Sequence, residues 1–302
     1  MERSLLVGVD GSPESRAAVR WAAEEAVRRG AKLWIGHVRT WLDDVHAAPE
    51  QPDGVRGLTA RLLDEAADEA HRVSPGLTVR TELLVGGAPA EVLVRAAERA
   101  ELLVLGSRGL GGFAGLVVGS VGLAVTARCE RPTVLVRASA VRRSDAAQDD
   151  EVHWTGEIHR TGEVVVGVDS RDPSPETLAF AFRQAGSLGT GLRAVHGWEP
   201  PASWGYAGWV PPHETWEQFG TIEADLLEKA VADVRDRYPD VPVVLDARAG
   251  TAAGAVVEAS HEAALVVVGR RRRPHPVGMR LGPAAHAVLH HAHAPVAVVP
   301  HD

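Results

Sequence analysis

Leu5-Leu6-Val7-Gly8-Val9-Asp10 returns 159 residues later as Val164-Val165-Val166-Gly167-Val168-Asp169. Self-similarity at a long, fixed offset is the mark of a duplicated unit. The same offset joins His37, at the end of Ala31 to Val38, to His196, at the end of Gly191 to His196. Further along, Leu102-Leu103-Val104-Leu105-Gly106 matches Leu265-Val266-Val267-Val268-Gly269, and Pro132 to Val136 matches Pro295 to Val299, both 163 residues apart. The second copy therefore carries four more residues after its second strand. They fall in or near Gly197 to Phe219, a stretch with four tryptophans and four prolines.

Each copy alternates Val-rich apolar runs with Ala-rich stretches. Unbroken apolar runs suit strands buried on both faces of a parallel sheet. Ser12-Pro13-Glu14 predicts a helix start, with a capping hydroxyl, a proline in the first turn and an early acid, and Gly30 predicts its end. Ser174-Pro175-Glu176 repeats the start signal three residues late relative to the strands, so the second copy's first loop is altered. Strand and helix alternating in a unit of about 150 residues predicts a doubly wound α/β domain. The expected organisation is domain 1 over 1–138, a polar linker over 139–162 and domain 2 over 163–302.

Composition narrows the function. The 302 residues are 45% hydrophobic and 24% charged, a globular profile, and no apolar run is long enough to span a membrane. A lone cysteine, Cys129, suits a reducing cytoplasm and reads as a small buried residue. Only Lys32 and Lys229 are lysines, and neither follows a glycine, so a Gly-Lys-Ser/Thr phosphate loop is excluded. A net charge of −8 gives no general attraction to nucleic acid.

In open α/β sheets ligands bind beyond the carboxyl ends of the strands. Three features of the first copy converge there: Gly8-Val9-Asp10-Gly11-Ser12, Gly106-Ser107-Arg108-Gly109, and Gly119-Ser120-Val121 opening a helical stretch. Gly106, Gly109, Gly111 and Gly112 let backbone approach a ligand closely. Ser120 at a helix start offers a hydroxyl and neighbouring N–H groups to phosphate. Arg108 adds a charged donor, and Asp10 is an acceptor for nucleoside hydroxyls or amines.

Gly106-x2-Gly109-x9-Gly119-Ser120 resembles the nucleotide signature of the ATP-binding universal stress proteins. Gly8 to Ser12, Gly87-Ala88-Pro89-Ala90 before a helix and Arg131 to Val136 as last strand resemble that family too. The likeness covers both halves, as in its tandem-domain bacterial members. It implies five parallel strands per domain in the order 3-2-1-4-5 and a bound adenine nucleotide, ATP with or without Mg2+. It places adenine and ribose against Asp10, with Gly8 and Val9 beside it, and the backbone near Val38. It places the ribose and phosphates along Gly106, Ser107, Arg108 and Gly109, and the phosphates on Gly119, Ser120 and Val121. It further implies pairing of the last strands, Thr133 to Arg137 with Val296 to Pro300, a homodimer and an unidentified protein partner.

The second copy keeps Gly167, Asp169, Gly269 and Gly282 as candidate binding residues. Arg272 replaces the second glycine, inside Arg270 to Arg273, and Pro283 stands where Ser120 stands in copy one. This reads as a degenerate site with a solvated basic loop, against an alternative in which the arginines compensate. His286, His290, His291 and His293 lack the cysteine or paired acid that would complete a metal set, so no metal site is assigned. Trp198, Trp204, Trp209, Trp216 and Tyr206 form either a lid or partner surface, or packing between domains. The function that follows is an ATP-binding stress regulator without assigned catalytic residues. A nucleotide-independent scaffold and a slow ATP hydrolase are the alternatives.

Overall fold

The computed structural model describes residues 3–39, 52–109, 118–137, 162–200, 212–272 and 281–302, with no side chains for 52–56. Gly111, Gly112, Trp204, Tyr206, Trp209 and nearly all of the expected linker lie outside them. The described residues fall in two compact units.

The first unit runs β1 (Ser4–Gly8), α1 (Pro13–Arg29), β2 (Lys32–Val38), α2 (Pro52–Val73), β3 (Val79–Leu84), α3 (Pro89–Ala97), β4 (Leu102–Gly106), α4 (Ser120–Thr126) and β5 (Thr133–Val136). Its strands are parallel and lie in the order β3-β2-β1-β4-β5. The order reverses between β1 and β4, which opens a crevice at their carboxyl ends. Leu5, Leu6, Val7, Leu102, Leu103 and Val104 are wholly buried, so the two central strands read as apolar runs because both faces are covered. Each such side chain contributes about 1.5–3 kcal/mol of burial.

The second unit repeats this plan with β6 (Val164–Gly167), α5 (Pro175–Leu188), β7 (Leu192–Trp198), α6 (His213–Arg235), β8 (Val243–Ala249), α7 (Ala252–Ala259), β9 (Leu265–Arg271), α8 (Pro283–His291) and β10 (Val296–His301). Its order is β8-β7-β6-β9-β10, again parallel.

The predicted helix signals are in place. Ser12 and Ser174 are N-caps whose side chains accept from Ser15 N and Thr177 N. Gly30 and Gly189 end their helices in the left-handed region, at φ of 59° and 65°. Cys129 is buried. Trp198 and Trp216 pack ring against ring at 5.7 Å, both within the second unit.

Candidate functional site

In the first unit the site starts from Asp10, two residues past the end of β1. Its Oδ1 accepts from Ser12 N at 3.0 Å and from Ser12 Oγ at 2.6 Å. Ser12 Oγ in turn accepts from Ser15 N at 3.1 Å, so the helix cap and the aspartate are locked together. Gly11, between them, has a φ of +86°, which a side chain would strain. With Oδ1 so held, Oδ2 faces Gly109: a β-carbon there would lie 2.3 Å from it.

Gly106 ends β4 against α1. A β-carbon at Gly106 would lie 2.7 Å from the Glu14 carbonyl carbon and 2.8 Å from Ser15 N, so only glycine lets helix and strand approach this closely. Beyond it, Ser107 donates its N–H to Val136 O, and its carbonyl accepts from Gly119 N, both at 2.7 Å. The second bond clasps the two ends of the glycine-rich loop. It also commits the Gly119 N–H, leaving the next N–H groups of α4, Ser120 and Val121, without an intrahelical acceptor. Gly119 has no side chain to cap them.

Val38 closes β2 opposite Leu84 and is buried, and Val9 O accepts from the His37 ring at 2.8 Å. Gly8 pairs with Gly36 of β2. Gly8, Val9, Asp10, Gly106, Ser107, Arg108, Gly109, Gly119 and Ser120 thus gather at the carboxyl ends of β1 and β4.

Two residues here were not singled out by sequence. Glu14, read only as a helix-start acid, holds Arg108: Arg108 Nε and Nη2 both lie 2.9 Å from its Oε1. Arg137 follows β5 directly. Burial, and then the positive charge of Arg108, pull its guanidinium down to about 10. A basic residue just past the last strand was the only available signal.

The second unit departs from this plan at the same places. Its first loop is longer, with Ser174 five positions after Asp169 where Ser12 is two after Asp10. Asp169 keeps its turn, accepting from Arg171 N at 3.1 Å. The Arg171 guanidinium reaches Glu223 Oε1 of α6 at 2.5 Å, and Glu223 Oε2 meets His196 Nε2 at 3.2 Å. Burial raises the Glu223 carboxyl, but the bonds from Arg171 and His196 outweigh it and hold the group below its usual range.

The loop after β9 is changed more deeply. β4 and β5 pair only as far as Gly106 opposite Val136. The matching pair, Gly269 opposite Val299, is followed by Arg270 opposite Pro300 and Arg271 opposite His301. Arg272 N then donates to His301 O at 2.6 Å. Backbone that turns away as a glycine loop in the first unit is woven into the sheet in the second. Gly282 precedes α8 as Gly119 precedes α4, but Pro283 has no N–H to offer.

The description "Universal stress protein family" belongs to a family model that matches this chain twice, over residues 1–137 and 161–300. The chain belongs to the universal stress protein family. Both matches fall on the two units of the universal stress protein fold described above. The universal stress protein Rv2005c of Mycobacterium tuberculosis is 33% identical over 310 residues, covering 98% of this chain and 97% of that protein. A universal stress protein crystal structure from Archaeoglobus fulgidus has a TM-score of 0.65 at 18% identity, covering 99% of this chain and 96% of that one, a likeness of fold. Another universal stress protein, solved in complex with cAMP, is 31% identical over 46% of this chain and 98% of its own, with a TM-score of 0.36. Among the described residues no helix is long and apolar enough to cross a membrane.

Proposed function

We propose that the first unit of this universal stress protein binds ATP and that the chain is a nucleotide-responsive regulator, cytoplasmic and homodimeric, acting through a protein partner. One observation carries the reading. Gly109 and Asp10, 99 residues apart in sequence, meet so closely that a β-carbon at 109 would fall 2.3 Å from Asp10 Oδ2. The aspartate of β1 and the glycine loop of β4 therefore form one surface, on which a ligand touches both.

The chemistry fits a nucleotide. Asp10 is an acceptor pre-set by Ser12, suited to ribose hydroxyls. The first N–H groups of α4 and the Ser120 hydroxyl are donors for phosphate oxygens. Arg108 and Arg137 add positive charge at that end. Among the described residues no three His, Cys, Asp or Glu form a metal set, so a magnesium ion would be held chiefly by the phosphates.

Equilibrium ATP titration of the wild type, Ser120→Val and Gly109→Arg tests this. The expected result is at least tenfold weaker binding in both variants. Unchanged affinity in both, or no adenine nucleotide released by heating freshly purified protein together with no binding in titration, would overturn it.

A further inference from the structure

The second unit has a cavity of about 840 Å³ at the amino-terminal ends of β6 and β7, away from the carboxyl ends where the sheet opens its crevice. It lies under the last turn of α7 and over Val165 of β6 and Arg193 of β7, which are neighbours in register. The position of Arg193 is that of Trp34 in the first unit, 159 residues earlier. There a buried indole fills the place, with the guanidiniums of Arg80 and Arg99 at 5.2 and 4.9 Å from the ring centre. The Arg193 guanidinium is instead drawn aside, to Glu163 at 2.9 Å and Asp246 at 3.4 Å, and the space over the strands stays open.

Charge is arranged around this space in a fixed order. Glu163 pairs with Arg193, Arg193 with Asp246, Asp246 with Arg248, and Arg248 with Glu258 of α7 at 3.2 Å. The hydrogen bond from Arg248 holds the Asp246 carboxyl below its ordinary range, so the middle of the series stays charged. The series ends on a carboxylate at either side. Glu262 also lines the cavity, at the close of the short turn that follows α7. A β-carbon at Gly162 would fall 1.6 Å from Glu262 O, so the Glu262 backbone is seated against the residue before Glu163. His261 stacks on His293 at 3.7 Å, which holds that turn in place. Glu258, Glu262 and Glu163 thereby come together on one side. In all, the carboxylates of Glu163, Asp246, Glu258 and Glu262 meet the guanidiniums of Arg193 and Arg248, an excess of negative charge facing an enclosed space.

We infer that this cavity binds a small aliphatic diamine, a dication with an apolar middle. One ammonium sits between Glu258 and Glu262 and the other between Glu262 and Glu163, while the methylenes lie over Val165 and Ala259. Aliphatic amines are protonated at neutral pH, as the lysine side chain is. A carboxylate accepts several hydrogen bonds, so the pairs with Arg193 and Arg248 leave Glu163 and Glu258 able to receive an ammonium as well. Like charges set close together repel, and a bound dication relieves that repulsion. Two anionic positions select a diamine over a monoamine. The apolar floor favours methylenes over the water shell that Mg2+ retains. The inference does not depend on nucleotide binding by the first unit.

The probes are 1,4-diaminobutane, butylamine and magnesium chloride. Each is titrated calorimetrically, at physiological salt, into full-length protein freed of nucleotide. The expected result is one site per chain that takes diaminobutane at least tenfold more tightly than butylamine or Mg2+. Glu262→Gln removes one charge at an exposed position, and Ala259→Trp fills the space without changing any charge. Each should weaken diaminobutane binding at least tenfold, with thermal unfolding showing the second unit still folded. No saturable binding, butylamine or Mg2+ bound as tightly, or an affinity unmoved by Glu262→Gln would overturn the inference. Binding that responds to Glu262→Gln but not to Ala259→Trp would overturn it too, because the amine would then lie on the surface and not in the cavity.

Discussion

Arg108 and Glu14 meet across the mouth of the first unit's site, with Nε and Nη2 of the arginine each 2.9 Å from one carboxylate oxygen. The pair joins the β4 loop to α1, and it would set the charge that a phosphate of the proposed nucleotide encounters. Glu14→Gln keeps the hydrogen-bond acceptor and removes the negative charge. ATP affinity should rise about threefold or more at low salt, with a stability loss of about 1 kcal/mol in urea unfolding. Weaker binding in Glu14→Gln would show that Glu14 serves the site only by holding Arg108 in place.

Arg137 directly follows β5, and its value is lowered to about 10 first by burial and then by the like charge of Arg108. A bound anion relieves both costs. Arg137→Ala should therefore weaken ATP binding by about tenfold, more than Arg108→Ala does, and should flatten the dependence of affinity on salt. Equal effects of the two substitutions would remove Arg137 from the phosphate end.

Gly109→Ala tests the closest approach. Its new methyl group meets Asp10 Oδ2, and Asp10 can yield only by leaving Ser12. Two hydrogen bonds are then at stake, each worth about 1 kcal/mol net. Unfolding free energy should drop by about 1–2 kcal/mol and ATP affinity at least tenfold. Gly30→Ala, by contrast, places a residue at positive φ and meets nothing within 4 Å, so it should cost stability and leave affinity unchanged.

Glu223 predicts a pH dependence in the second unit. Its folded value is lowered despite burial, by Arg171 and His196. A lowered carboxylate stabilises the fold above its ordinary value of 4.5 and loses that contribution as pH falls through the lower folded value. Urea unfolding from pH 7 to 3 should show stability declining below about 4.5. In Glu223→Gln that part of the decline should be absent and stability at pH 7 lower by about 1–3 kcal/mol. A pH profile identical in both proteins would rule Glu223 out as the origin.

Much of the fold was readable in the residues because it rests on local and repeated signals. Ser12 and Ser174 announce their helices by chemistry that acts within three residues. Apolar runs such as Leu102 to Leu105 announce buried parallel strands. The three-residue delay of Ser174 also announced the altered first loop of the second unit. What escaped were side chains whose role depends on distant partners. Glu14 finds Arg108 at a separation of 94 residues and Glu223 finds Arg171 at 52. Neither pairing has a spacing signature, since tertiary packing alone brings such groups together. The run Arg270 to Arg273 reads as a solvated loop, yet Arg270 and Arg271 lie in β9 and Arg270 is buried. Two flanking strand positions in β10, Pro300 and His301, decided that outcome.

The two additional rungs between β9 and β10 also determine how each half of the chain behaves when its ligand is scarce. Donors held by a sheet are satisfied at all times, so the second half owes less of its cohesion to anything it binds. In the first half the N–H groups at the start of α4 depend on solvent or ligand, and occupancy feeds directly into its resistance to unfolding. Duplication has thus separated two duties that a single copy must combine. Under the proposed function, one half would respond to nucleotide supply while the other would keep its architecture whatever that supply is.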